Sequence, residues 1–85
     1  MPSYTAFLSK KARKQLDKFS DNIAESILEA IADLEENPRP HGYKKLSGRD
    51  GFRVRVGNYR IIYDIIDTKL IVDIITLGHR KDIYE

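Results

Sequence analysis

Between Phe52 and Val56 the chain alternates apolar and basic residues, FRVRV, and after Gly57-Asn58 an apolar-rich run resumes at Tyr59. Alternation with a period of two predicts a half-buried strand, and glycine leading a two-residue connection predicts a type II′ hairpin. That register sets Val56 against Tyr59 and Arg55 against Arg60, with Arg53 on the same face and the apolar residues on the other. Like charges placed directly opposite one another cost a sheet roughly 0.2–1 kcal/mol. Something outside local structure must offset that cost.

Upstream, the period changes. Tyr4–Leu8 reads as a short strand, and Ser9 can cap a helix through Phe19, with Ala12, Leu16 and Phe19 on one face. Ser20-Asp21-Asn22 offers new capping residues, and Ile23, Ile27, Ala30, Ile31 and Leu34 form the apolar stripe of a second helix running to about Asn37. Asp21, Glu25 and Glu29 lie on its outer face, and an acid early in a helix agrees with its dipole. Asn37-Pro38-Arg39-Pro40-His41-Gly42 stops it.

Strands follow at about 52–57, 59–67 and 69–78, and the tail is 79–85. The order β-α-α-β-β-β predicts an α+β domain: a small antiparallel sheet packed on an N-terminal helical hairpin, one domain over residues 1–85. Phe52, Val54, Val56, Tyr59, Ile61 and Tyr63 are expected under the helices, leaving the face of Arg53, Arg55, Arg60 and Ile62 open. For the last hairpin, a two-residue Thr68-Lys69 loop would oppose Asp64 and Asp73. A three-residue loop, with Ile66 opposite Leu70 and Asp73 opposite Tyr63, avoids that like-charge pair and is the expected register.

Composition narrows the chemistry. Eighty-five residues with 33% charged and 41% hydrophobic content fit one globular unit. Cysteine is absent, which removes disulfides and thiolate metal sites and agrees with a reducing compartment. Asp64, Asp67, Lys69 and Asp73 break the longest apolar stretches, and no secretion signal opens the sequence, so a cytoplasmic protein without a membrane segment is expected. The carboxylates Asp64, Asp67 and Asp73 have no metal-ligand spacing, and neither a metal nor another cofactor is expected.

The net charge is only +2, but it is unevenly spread. Residues 44–60 hold Lys44, Lys45, Arg49, Arg53, Arg55 and Arg60 against Asp50 alone, a local +5. Such a footprint fits a polyanionic ligand. Lys44, Lys45 and Arg49 are candidate phosphate contacts rather than reacting groups.

Three stretches in order, KKLSG at 44–48, FRVRVGNYRIIY at 52–63 and GHRKDIY at 78–84, resemble the RelE/ParE toxin superfamily, and the RelE branch most. The likeness covers nearly the whole chain. It implies a toxin of a toxin–antitoxin pair that cuts messenger RNA in the ribosomal A site. Metal-free cleavage of this kind uses the adjacent 2′-hydroxyl as nucleophile and leaves a cyclic phosphate and a free 5′-hydroxyl. It therefore needs proton removal, stabilisation of charge on phosphorus, and protonation of the leaving oxygen.

The resemblance assigns Arg53 and Arg55 to the paired basic residues of the first hairpin strand and Arg60 to the main phosphate clamp. It assigns Arg80 to a general acid and Tyr84 to substrate positioning or stacking. Lysine often stands in the family where this chain has Arg55. Arginine's planar fork suits phosphate, but it effectively never releases its proton. The proton acceptor is then His79, whose imidazole is a common general base, or cleavage proceeds mainly by positioning and charge, with the ribosome supplying missing groups.

The resemblance also implies partners: a cognate antitoxin, the ribosome and its messenger RNA, and promoter DNA only through the antitoxin complex. Two other readings stay open, a ParE-like toxin acting on DNA gyrase without nuclease activity and an RNA-binding module that does not cleave.

Overall fold

The computed structural model describes residues 3–79. Its elements are β1 (Thr5–Leu8), α1 (Lys10–Lys18), α2 (Asp21–Glu36), β2 (Lys44–Lys45), β3 (Phe52–Val56), β4 (Tyr59–Ile66), a 3-10 turn (Asp67–Lys69) and β5 (Ile71–His79). The expected α+β arrangement is present, with both helices on one side of the sheet. Sequence patterning did not show two features: Lys44–Lys45 forms a fifth strand, and β1 joins parallel to β5, so the sheet is mixed. The strand order is β1-β5-β4-β3-β2.

The helix starts follow their caps. The Ser9 hydroxyl accepts from the Ala12 amide at 3.0 Å, and extended backbone at Ser9 starts α1. Ser20 has the same extended geometry at the head of α2 but makes no side-chain cap bond. Asn37 closes α2, and its side-chain oxygen accepts from the Arg39 amide at 3.1 Å, which turns the chain through Pro38.

Ala12, Ile27, Ile31 and Leu34 of the helices pack on Ile61, Tyr63, Val72, Ile74 and Leu77 of the sheet. Full burial of one large apolar side chain stabilises by about 1.5–3 kcal/mol, so this cluster supplies most of the driving force. Tyr63 has no exposed surface, and its hydroxyl donates to the Pro38 carbonyl at 2.7 Å. That bond satisfies a buried phenol and pins the α2–β2 connection to the core.

The β4–β5 register corrects the expectation for the last hairpin. Asp64 lies directly opposite Asp73, and Ile66 opposite Ile71. A four-residue connection makes this possible, because the 3-10 turn ends at Leu70 with φ 55°, a left-handed conformation. A register shift between Ile62 and Tyr63 adds one residue on β5. Ile74 and Leu77 have opposite parity along a regular strand, yet both are fully buried in the one cluster. The bulge reconciles them and leaves Ile75 39% exposed. Asp64 turns one carboxylate oxygen back to accept from the Ile65 amide at 2.8 Å, which occupies part of its charge locally.

Both sides of the β1–β5 region are tied by side chains of the helices. The Ala6 amide donates to the Glu35 carboxylate at 2.7 Å, and the Tyr4 amide to the Glu35 carbonyl at 3.0 Å. Beyond the end of β1, Gln15 of α1 accepts from the Leu77 amide at 2.7 Å and from the Thr76 hydroxyl at 3.1 Å. Among the described residues, no helix is long and apolar enough to cross a membrane.

Candidate nucleic-acid interface

The Gly57-Asn58 turn sets the site. Gly57 has φ +60°, and among the described non-glycine residues only Leu70 has positive φ. Positive φ at the first central position alone is the type II′ pattern. The resulting register pairs Val56 with Tyr59, Arg55 with Arg60 and Arg53 with Ile62. Directly opposed residues share a face, so Arg53, Arg55 and Arg60 stand together on the side away from the helices. Strand β2 extends the group, because Lys44 pairs with Arg53. Lys45 pairs with Phe52 and so belongs to the other face.

The arginines differ in setting. Arg55 is exposed, whereas Arg53 and Arg60 are half-buried, with their Nε atoms shielded from solvent. Ile62, on the same face, is 1% exposed, which corrects the expectation of a wholly open face. Ile62 and Leu46 are the two core residues that fall outside the helix-packed cluster. The 46–51 loop is drawn over the sheet instead of hanging from its edge.

Gly51 allows that path. It adopts φ +121°, its carbonyl accepts from the Leu46 amide at 3.0 Å, and a Cβ there would lie 3.1 Å from Leu46 Cδ1 and 3.3 Å from the Tyr63 carbonyl oxygen. The consequence for the site concerns Arg49. It lines a groove with Thr76, Gly78 and His79 of β5 and with Lys11 and Lys18 of α1, two strands away from its neighbours in the chain. Only the lone apolar Leu46 inside the polar run KKLSGRDG hinted that this loop is anchored.

His79 falls elsewhere than the arginines. It pairs with Tyr59, one position on from the Arg60–Gly78 pair, so it belongs to the helix-facing side. Its ring meets Tyr59 edge-on with centroids 5.4 Å apart, and Tyr59 meets Phe19 in the same manner at 5.2 Å. Arg80 and Tyr84 lie outside the described residues. The structure therefore groups Lys44, Arg53, Arg55 and Arg60, places Arg49 and His79 around an adjoining groove, and sets Lys45 on the opposite face.

Arginines so grouped can hold a phosphate through several charge-assisted hydrogen bonds. Half-burial makes the two inner guanidiniums more effective than solvated ones, because the surrounding dielectric is lower. None of these groups can accept a proton at neutral pH.

The chain matches the family described as the ParE toxin of the type II toxin–antitoxin system parDE over residues 6–84. It is 35% identical over 85 residues to Toxin RelG of Mycobacterium tuberculosis, covering 95% of both chains. It is 25% identical over 81 residues to the mRNA interferase toxin RelE of Escherichia coli K12, covering 93% of this chain and 85% of the relative. A chain of the archaeal RelE–RelB complex from Pyrococcus horikoshii OT3 superposes with a TM-score of 0.82 at 28% identity, covering 95% of this chain and 99% of that one. A YoeB/ParE toxin from Agrobacterium tumefaciens, 13% identical with a TM-score of 0.76, shares the fold.

Proposed function

Since this chain belongs to the ParE toxin family of type II toxin–antitoxin systems, as a RelE-like toxin, we propose that it is a ribosome-dependent endoribonuclease that cuts messenger RNA in the A site. The observation that carries this reading is the cross-strand pairing of Arg55 with Arg60, with Arg53 and Lys44 on the same face. In the reaction a 2′-hydroxyl attacks the adjacent phosphorus, its proton leaves, and the bond to the 5′-oxygen breaks as that oxygen is protonated. Arg60 clamps the phosphate, and Arg53 and Arg55 offset the charge that grows on its oxygens. Arg80 serves as the acid and Tyr84 positions a base, by resemblance to the family.

The register favours positioning and charge over His79 as the source of catalysis, because His79 faces the helices while the arginines face away. The ribosome then completes the site. Similar structures are of RelE in complex with RelB, and the partner that keeps this toxin silent is a cognate antitoxin. Its place of action is the cytoplasm, where ribosomes translate.

The test is to induce the chain alone in cells and map transcript ends on translating ribosomes. Cuts at A-site codons that vanish in Arg60→Ala, while antitoxin binding persists, are expected. Growth arrest with uncut messages overturns the nuclease reading, and double-strand DNA breaks in their place establish the gyrase-directed alternative that the family match supports.

A further inference from the structure

Helix α1 reads KKARKQLDK, five cations and one carboxylate in nine residues, and all five cations are exposed. Its first turn holds Lys10 and Lys11 and no acid, although the positive end of a helix dipole disfavours cations there. Lys11, Lys14 and Lys18 follow at spacings of three and four residues, which stacks like charges on one face. Among the described residues no carboxylate lies within salt-bridge distance of these lysines. The opposite choice is made next door, where α2 begins with Asp21. Local helix physics therefore disfavours this arrangement, and no ion pair among the described residues relieves it.

The position of the row gives it a use. Lys11, Gln15 and Lys18 line two adjoining hollows at once, one with Lys10 and Lys14, the other with Arg49, Gly78 and His79. Gly78 is the β5 partner of Arg60. Arg49 and the α1 row thus line one groove that reaches the β5 partner of Arg60. From Lys11 to Lys18 the helix rises about 10 Å, enough for several phosphates of one strand.

We propose that the Lys11–Lys14–Lys18 row of α1 is a second RNA-backbone site, which grips phosphates of the strand whose scissile bond lies at the arginine face. It supplies affinity and register and takes no part in bond breaking. This inference rests on RNA being the target, as set out above. An acidic protein segment is the competing occupant. The groove shared with Arg49 and with Gly78, the strand partner of Arg60, favours RNA, because a single backbone running along it would approach both patches.

The test measures binding of the full-length chain to a labelled single-stranded oligouridylate across a range of KCl concentrations. Replacing Lys11, Lys14 and Lys18 together by Gln is expected to make the log–log salt slope shallower by about 2, since each single-strand phosphate contact contributes about 0.7. Thermal unfolding at or above the native temperature shows that the variant folds. An unchanged slope and affinity overturn the proposal. So does a variant that binds RNA normally but loses antitoxin affinity, because the row then serves a protein partner. A slope that falls while ribosomal transcripts stay intact in every variant supports this surface and removes the nuclease reading instead.

Discussion

Arg55 and Arg60 face each other directly across the Gly57-Asn58 turn, two like charges at one cross-strand position. On the nuclease reading proposed above, a phosphate gaining negative charge would offset that repulsion only while substrate is bound, so the cluster would exchange stability of the free protein for stabilisation of a transition state.

That exchange is measurable. Arg60→Ala is expected to lower the cleavage rate about 10²–10³-fold, the usual cost of deleting one well-placed donor. Arg55→Thr is expected to raise the unfolding free energy by about 0.2–1 kcal/mol in urea titration while lowering cleavage. A loss of stability in Arg55→Thr would show that the pair is not repulsive in the folded state.

The Asp64–Asp73 pair makes a second case of like charges face to face. Asp64 shares a face with Ile62 and Arg60 along β4. Asp73→Thr is expected to stabilise by about 0.2–1 kcal/mol by chemical denaturation.

Gly51 sits at φ +121° with Leu46 Cδ1 and the Tyr63 carbonyl oxygen against its open side. Gly51→Ala adds both backbone strain and a close contact, and about 1–3 kcal/mol of stability should be lost. Because the same loop holds Arg49 beside Gly78 and His79, RNA affinity should fall with it. Gly48, where an added Cβ would meet nothing within 4 Å, is the control for steric crowding.

Asp67 gathers the N-terminal segment and the α2–β2 connection. It accepts from the Tyr4 hydroxyl at 2.7 Å and from both terminal nitrogens of Arg39 at 2.9 and 3.3 Å. The bonds from Arg39 first, and then from Tyr4, hold its carboxyl below the ordinary aspartate value. A depressed carboxylate stabilises above its unfolded pKa of about 3.9, and this contribution disappears as pH falls through the lower folded value. The stability gap between native protein and Asp67→Asn should be widest near neutrality and close below about pH 4. It should also narrow in 1 M NaCl, since the pair is exposed to solvent. A gap that widens toward acid would overturn this account.

The elements read from periodicity reappear almost unchanged: the capped helices, the II′ turn and the arginine register all depend on neighbours within a few residues. The same locality explains the misses. Lys44–Lys45 is too short to carry a pattern, and Leu46 is one apolar residue among polar ones, so neither the fifth strand nor the buried loop had a periodic signal. Charge avoidance gives the wrong register for β4 against β5, because it takes no account of which residues the core claims.

What the amino-acid sequence determined by itself is the arginine cluster and its family, since a two-residue turn and a period of two leave no freedom in which side chains share a face. Only the tertiary structure decided where the rest of the site lies. Burying Ile74 and Leu77 under the same helices required a bulge at Ile75, while the four-residue connection 67–70 set Asp64 against Asp73. Sealing Ile62 and Leu46 on the far face went with Arg49 reaching β5, and the β5 pairing turned His79 toward the helices. These outcomes follow from contacts between residues distant in the chain, where burial of apolar surface outweighs local preference.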